Sequence, residues 1–161
     1  MAVTKDQKTI RYGTQDGHQP TALRAKANAT FYAGTIALTD STGYLKSSAT
    51  VAATDKCWGI INGLVNGSPH VSAPITAGTT NGDTIVGIDT GTFYLTPGTS
   101  SDALTQADIG AVVYVINEVT VGKTDGGSAR PIAGRLAEIG TGQYTGYVAV
   151  TLGIASNTGS P

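Results

Sequence analysis

The chain has 161 residues, of which 40% are hydrophobic and only 13% are charged, and its formal net charge is -1. This length is expected for about one domain, and the charged share is about half of the roughly 25% usual in soluble proteins. Such a composition argues against long surface helices and against a strongly basic nucleic-acid-binding protein. With 22 glycines, it is typical of an all-β protein with many turns, or of an assembly subunit whose surface is covered by neighbours.

The charges are unevenly distributed along the chain. Residues 1–26 contain five bases and two acids, whereas the rest of the chain contains five bases and nine acids. A basic segment that precedes an acidic body could bind an acidic surface. Because the five bases are spread out and are not interleaved with aromatic residues, we expect no nucleic-acid partner.

The first part of the chain has no clear strand or helix periodicity. Residues 1–29 are interrupted by Gly13, Gly17 and Pro20, and we interpret them as an extended N-terminal arm in which 21–28 could form a short helix. Two readings of the arm stay open: it could lie on a neighbouring subunit, or it could be a tail that contacts nothing. The body is expected over residues 30–153, and residues 154–161 are expected to form a flexible tail.

The body begins with strand and turn signals. Residues 35–38 and 44–46 flank the turn-forming stretch 40–43, which predicts a hairpin, and residues 57–61 predict a further strand. Residues 62–83 are rich in glycine and proline and predict a long loop that contacts a partner, with 71–75 as a possible edge strand.

The most strand-like region runs from residue 84 to the end of the body. Strands are predicted at 84–88, 92–95, 111–116, 119–121, 132–139 and 144–152, with a turn or single helical turn at 100–108. Both faces of 111–116 are apolar, so this strand is predicted to be central and covered on both sides. In the last strand the side with Val148, Val150 and Leu152 is predicted to face inward. We find no convincing internal repeat.

The residues that could carry chemistry show no catalytic or metal-binding pattern. Cys57 is the single cysteine, which excludes an intramolecular disulfide and indicates a small buried thiol in a chain that folds in a reducing cell. His18 and His70 have no ligand spacing with it. The sequence Gly122-Lys123-Thr124 ends like a phosphate-binding loop, but an asparagine stands five residues earlier where that motif needs glycine. We therefore expect a protein that is not an enzyme and has no metal or cofactor.

Two further expectations concern surfaces. No apolar run is long enough for a signal peptide or a membrane span, so a soluble protein without a membrane partner is expected. The tyrosines could stack on sugars or on a partner surface, although in a β-rich body such residues more often lie at the edge of the core. The tyrosines concerned are Tyr12, Tyr32, Tyr94 and Tyr144.

Six short segments follow one another in an order that resembles a known family. They are FYAGTIAL (31–38), WGI (58–60), GTFYL (91–95), IGAVVY (109–114), GRLA (134–137) and YVAV (147–150). In this order of apolar and glycine signals the chain resembles the tailed-phage capsid decoration, or cement, proteins. The resemblance implies a small β-barrel or β-sandwich body, β-tulip-like or jelly-roll-like, on the outer face of an icosahedral head. The body would be a homotrimer or a dimer, with an N-terminal extension on the major capsid protein.

The resemblance also implies a location, partners and contact residues. The chain would be made in the bacterial host cytoplasm and would bind the major capsid protein and other copies of itself. The long loop 62–83 and the length of the arm depart from the family pattern. An alternative is a receptor- or glycan-binding virion module that uses exposed tyrosines and the loop 62–83. The candidate capsid contacts lie in the arm: Lys5, Lys8, Ile10, Arg11, Tyr12, Arg24 and Lys26.

Overall fold

The computed structural model describes residues 21–70 and 74–153, and over these residues the fold is all-β with three short 3-10 turns, as predicted. The 3-10 turns are Ser100–Asp102, Gln106–Asp108 and Gly142–Tyr144. The strands are β1 (Thr21–Arg24), β2 (Thr30–Phe31), β3 (Ile36–Thr39), β4 (Leu45–Lys46), β5 (Lys56–Val65), β6 (Ser68–Pro69), β7 (Ile75–Thr76), β8 (Ile85–Asp89), β9 (Gly91–Pro97), β10 (Val112–Val115), β11 (Thr120–Gly122), β12 (Ile132–Ile139) and β13 (Val148–Leu152).

Two sheets make up most of the body. The second half of the chain forms a closed barrel with the strand order β10-β11-β9-β13-β12, in which only the β11–β9 pair is parallel. The first half forms a curled sheet with the order β1-β8-β5-β3-β4, and β6 pairs with β5. The ends of the curled sheet meet at a single parallel bridge between Ala25 and Leu45. The all-β fold class predicted from the sequence is therefore confirmed, and of the two predicted forms, barrel and sandwich, the second half of the chain forms a closed barrel.

The two sheets share one topology, and we call them the first unit (within 21–90) and the second unit (91–153). Read from its first strand, each unit has the same order, β1-β8-β5-β3-β4 in one and β9-β13-β12-β10-β11 in the other, and each closes through a parallel contact. The strand registers agree as well. In the first unit Ala37 pairs with Gly59 next to a register shift, and in the second unit Val113 pairs with Gly134 next to the same shift.

The turns before β3 and β10 are also equivalent. Gly34 has φ 82° and donates its N–H to the carbonyl of Ile61 at 2.8 Å, while Gly110 has φ 83° and donates to the carbonyl of Leu136 at 2.8 Å. The expectation that the chain has no repeat is therefore wrong at the level of structure. Because the connecting loops differ in length, no constant spacing relates the two halves, and a search for a fixed period misses the repeat.

Each unit has a hydrophobic core, and one core extends across the boundary between them. The cluster inside the first unit includes Phe31, Ile61 and Ile88. The cluster inside the second unit also contains four residues from the first unit, which we call the linking face: Ile36, Leu38, Cys57 and Ile60. All four are at most 4% exposed, and the buried state predicted for the thiol is confirmed. The units are thus joined by continuous apolar packing.

The unpaired residue at the register shift differs between the units. In the first unit it is Trp58, which packs against that unit's own cluster and donates its indole N–H to the Thr39 hydroxyl at 2.9 Å. In the second unit it is Ala133, which is fully buried in the cluster that includes the linking face. The large Trp58 side chain therefore packs against the core of the first unit, whereas residues of the first unit complete the core of the second.

Three local predictions are wrong. Residues 21–28 do not form a helix, because 21–24 pair with β8 as strand β1, and residue 25 is buried in the core. The stretch 62–83 is not one loop, because 62–65 continue strand β5 and the β6 and β7 strands lie within it, with 71–73 outside the described residues. Strand β10 is not covered on both sides: Val113 and Val115 are buried, whereas Val112 and Tyr114 are half-exposed, since a barrel strand has only one inner face.

Other local predictions are confirmed. The hairpin between β3 and β4, the turns at 100–108 and the inward-facing side of the last strand are present. That inward side consists of Val148, Val150 and Leu152, which are at most 4% exposed. The predicted arm lies outside the described residues as far as residue 20, and so does the predicted tail 154–161.

Candidate interaction surfaces

The structure separates the seven candidate capsid contacts into two groups. Five of them lie outside the described residues: Lys5, Lys8, Ile10, Arg11 and Tyr12. Arg24 and Lys26 do not belong to a separate arm, because Arg24 is the last residue of β1 and Lys26 donates its backbone N–H to Leu45 at 2.8 Å. Both side chains are exposed on the first unit.

Arg24 lies where the loop before β8 folds back on β1. Its guanidinium donates to the carbonyl oxygen of Gly82 at 3.1 Å. A Cβ at Gly82 would lie 3.5 Å from the Arg24 side chain and 3.5 Å from the ring of Tyr44. We call Arg24, Lys26 and Tyr44 the basic patch. The basic patch lies close to residue 21, where residues 1–20 join the body.

The charge of Lys26 is balanced by a carboxylate. Its ammonium group lies 2.6 Å from Oδ2 of Asp40, and Oδ1 of the same carboxylate accepts the backbone N–H of Thr42 at 2.9 Å. Burial raises the pKa of Asp40, but the hydrogen bonds from Lys26 and Thr42 outweigh it and hold the pKa at about 2. Within residues 21–70 and 74–153, Arg24 is therefore the base of the patch that forms no ion pair with a carboxylate.

Two further aspartates fasten the segment 100–108 to the barrel. Asp102 accepts the Thr124 hydroxyl at 2.6 Å and the Arg130 guanidinium at 2.8 Å, and the Thr124 hydrogen bond is the main cause that lowers its pKa. Asp108 lies 2.7 Å from the Lys123 ammonium, which, with two hydrogen bonds from Thr105, holds its pKa at about 2. Both carboxylates are therefore ionised near neutral pH.

This arrangement explains the phosphate-loop-like stretch 122–124. Its lysine and threonine bind the two aspartates described above. Since ionised carboxylates repel a phosphate, the geometry gives this stretch a structural role. The charged side chains at this place hold a turn against the outside of the barrel.

The described residues contain no group of three or more His, Cys, Asp or Glu side chains arranged to hold a metal ion. Burial raises the pKa of the Cys57 thiol to about 12, so the thiol is neutral at physiological pH. None of the helical segments in 21–70 and 74–153 is long and apolar enough to cross a membrane.

An aromatic pair lies on the outside of the barrel. The rings of Tyr94 and Tyr144 are stacked with centroids 4.1 Å apart, and the Tyr94 hydroxyl donates to Glu138 at 3.4 Å. Tyr94 is only 8% exposed, whereas the nearby Tyr147 is 48% exposed. Both members of the stacked pair are among the four tyrosines that could bind a partner or lie at the edge of the core, whereas the exposed Tyr147 is not among them. Tyr32 is half-buried, and Tyr12 lies outside the described residues.

The outside of β10 and β12 presents an apolar patch that the sequence analysis expected to be buried. Val112, Tyr114 and Ile116 follow one another along the outer face of β10 and the residue after it, and Ile132 is the partner of Tyr114 on β12. Ile132 is 36% exposed, and the other three are half-exposed. We call these four residues the outer patch. Because both faces of the run 112–116 are apolar, no local sequence signal distinguishes this outer face from the inner one.

No protein-family model, curated protein or solved structure matches this chain. The basis for a functional proposal is therefore the resemblance in the order of sequence signals together with the surfaces described above.

Proposed function

We propose that this chain is a non-enzymatic capsid decoration, or cement, protein that binds the outer face of a phage head and stabilises contacts between major capsid protein subunits. The observation that carries the proposal is the construction of the body, in which two β-units of one topology share a continuous apolar core. Such a body resists deformation and holds its surfaces at fixed positions. A cement protein needs this property, because it must hold neighbouring subunits at a fixed spacing.

The positions of the candidate surfaces support a bridging role. The basic patch lies on the first unit, close to the point where residues 1–20, with three bases and two acids, join the body, and most of the acids lie in the remainder of the chain. In this proposal the N-terminal segment binds one capsid subunit and the body contacts the next. Because the two contacts are linked in one chain, two weak contacts together give strong binding. The segment can cover a large surface for its length, although its ordering costs conformational entropy.

Two aspartates, Asp40 and Asp108, support a structural role over a catalytic one. Asp40 and Asp108 have pKa values of about 2 and bind turn amides or hydroxyls as well as a lysine. A general acid or base works best with a pKa near the working pH. These carboxylates are instead suited to fastening turns.

The first experiment removes the N-terminal segment without disturbing the body. The variant must contain residues 21–161, because a deletion to residue 29 would also remove β1 and leave β8 paired only with β5. We expect the 21–161 chain to keep the unfolding midpoint of the full chain but to be retained less on heads, and heads carrying it to lose their contents at lower temperature. Equal retention and equal heat resistance would show that the segment has no role in binding.

A second experiment tests the basic patch by charge reversal. Arg24→Glu is expected to weaken binding to heads, and the loss should shrink as salt is added, because the contact is electrostatic. Lys56→Glu is the matched control, since it makes the same charge change at an exposed base of the same unit. Cosedimentation of each purified variant with empty heads measures the effect. If both variants bind like the unmodified protein, the basic patch is not a capsid contact.

A receptor- or glycan-binding virion module is the second candidate, and the exposed Tyr147 beside the stacked tyrosines favours it. Aromatic rings with a nearby carboxylate can stack on sugars and hydrogen-bond to them. This candidate expects the isolated protein to bind cells or glycans and to lose that binding in Tyr147→Ala, with head binding unchanged. Ile109→Ala is the control for an exposed apolar side chain elsewhere on the second unit.

A further inference from the structure

Three of the four residues of the outer patch lie at positions of the second unit that correspond to the linking face of the first, and the remaining linking-face residue, Ile60, corresponds to Arg135. The equivalence follows from the strand registers, since the pair Leu38 and Cys57 in β3 and β5 corresponds to the pair Tyr114 and Ile132 in β10 and β12. By the same registers Ile36 corresponds to Val112. The two faces are thus the same part of the same fold.

The two faces differ in what covers them. Ile36, Leu38 and Cys57 are 0% exposed, because they pack in one cluster with the second unit. Ile132 is 36% exposed, although it stands at the position of the buried thiol. One unit therefore uses this face to pack against another β-unit, and the other unit leaves it open.

We propose that the outer patch is a self-association surface on which a second copy of this chain packs, patch against patch, around a two-fold axis. The occupant is inferred from the first unit, where a β-unit of the same topology covers the equivalent face. A second copy of the chain supplies a β-unit of this topology, and the face it offers is its own outer patch rather than the inner cluster that covers the linking face. This proposal adds a contact between copies of the subunit, and it does not depend on the head-binding proposal.

The chemistry of the outer patch suits contact with itself. None of its four side chains is charged, so two copies can approach without repulsion between like charges. Its tyrosine is a residue type enriched at the centre of protein interfaces. The cation at the edge, Arg135, stands opposite Val112 and donates to the carbonyl oxygen of Gly110 at 2.9 Å. The guanidinium is thus bonded within its own barrel.

The contact is expected to be symmetric rather than a repeat of the contact inside the chain. Inside the chain, the linking face packs in the cluster that contains the small Ala133. The equivalent position of the first unit carries Trp58, whose ring packs into that unit's own cluster. A second copy therefore does not offer the same acceptor on its first unit, and the outer patch of one copy faces the outer patch of the other.

The segment 154–161 is the other occupant to be tested. The backbone N–H of Gly153 donates to the carbonyl of Ala133 at 3.2 Å, so the segment that follows begins beside Ile132. If this segment covered the outer patch, a chain of residues 1–153 would associate although the full chain did not. That result would overturn the proposal.

Sedimentation velocity of the purified full chain, without heads, over a range of concentrations is the main test. We expect a reversible monomer–dimer equilibrium, weakened at least about tenfold in Kd by Ile132→Glu because an unpaired carboxylate would be buried in an apolar contact. Ile85→Glu is the matched control and should leave the equilibrium unchanged, since Ile85 is an isoleucine on strand β8 with 37% exposure, outside the outer patch. A chain that stays monomeric at all concentrations, or a dimer equally stable in Ile132→Glu, overturns the proposal.

Cross-linking shows whether the patches face each other. Because Cys57 is fully buried, a cysteine introduced on the surface is the reactive thiol of the described residues. A short bis-maleimide should join two copies of Ile132→Cys into a covalent dimer but should not join copies of Ile85→Cys. If the two variants cross-link equally, or if the species formed is larger than a dimer, the two-fold contact is wrong. Since no heads are present, failure here leaves the head-binding proposal to its own experiments.

Discussion

The packing between the two units can be tested by the substitution Ile36→Ala. Ile36 lies on the linking face and is 0% exposed. Alanine lacks three of its carbon atoms, so at about 0.8 kcal/mol per methylene-sized group the transfer contribution is roughly 2.4 kcal/mol. A residual cavity raises the expected loss of unfolding free energy to roughly 3–4 kcal/mol. At about 2–4 °C per kcal/mol for a chain of this size, the unfolding midpoint should fall by on the order of 10 °C.

Val112→Ala is the control, because Val112 occupies the equivalent position in the second unit and is half-exposed. Alanine lacks two carbon atoms of valine. Because these atoms are half in contact with water, the expected loss of unfolding free energy is about 1 kcal/mol or less. Circular dichroism during thermal and urea unfolding measures both variants, at low protein concentration so that self-association does not contribute. The reasoning is refuted if Ile36→Ala costs no more than Val112→Ala. It is equally refuted if the unmodified chain unfolds in two separate transitions, since a shared core requires the units to unfold together.

Three further predictions follow from individual residues. The folded pKa of Asp40 is about 2, below its usual value of 3.8, so its contribution to stability is present above pH 4 and is lost as the pH falls toward 2. In Lys26→Met the urea midpoint should therefore fall less between pH 5 and pH 2 than in the unmodified protein. An equal fall contradicts the role assigned to the Lys26–Asp40 ion pair. Gly59→Ala should destabilise the protein far more than Gly67→Ala, because a Cβ at the first position would overlap a backbone carbonyl of β8 while nothing lies near the second; chemical unfolding of both variants decides this. Cys57 should react with a thiol reagent only after denaturation, because the thiol is fully buried and its pKa is raised to about 12; rapid reaction of the folded protein would show that the linking face opens.

Several elements could be predicted from local sequence because local chemistry determines them. Asp40 accepts the N–H of Thr42 in the hairpin turn, and the Asn117 side chain accepts the N–H of Thr120 in the turn before β11. Side chains of this type bond the backbone two or three residues onward, so short turns between apolar runs can be read from the sequence. The inward side of β13 was found for a similar reason, because alternation of valines with other residues is a local pattern.

Other elements were not predictable because partners distant in sequence determine them. The short stretch 21–24 has helix-forming neighbours, yet it is a strand because β8 offers it an open edge. For this reason the candidate contact residues 24 and 26 belong to the body and not to the predicted arm. The outer patch has the same explanation: an apolar run such as 112–116 does not show which of its faces will be covered, since only closure of the barrel gives it an inside.

The amino-acid sequence alone determined that this protein is built from short strands and glycine-rich turns, because strand propensity and turn chemistry act over a few neighbouring residues. Tertiary structure decided that these strands form two units of one topology, and that Ile36 is buried where Val112 is open. The physical reason is that burial depends on which surfaces meet, and here they meet through pairings between residues far apart in the chain, at separations that differ from one strand to the next. The same equivalence is the reason we propose the open face of the second unit as the surface where another copy binds.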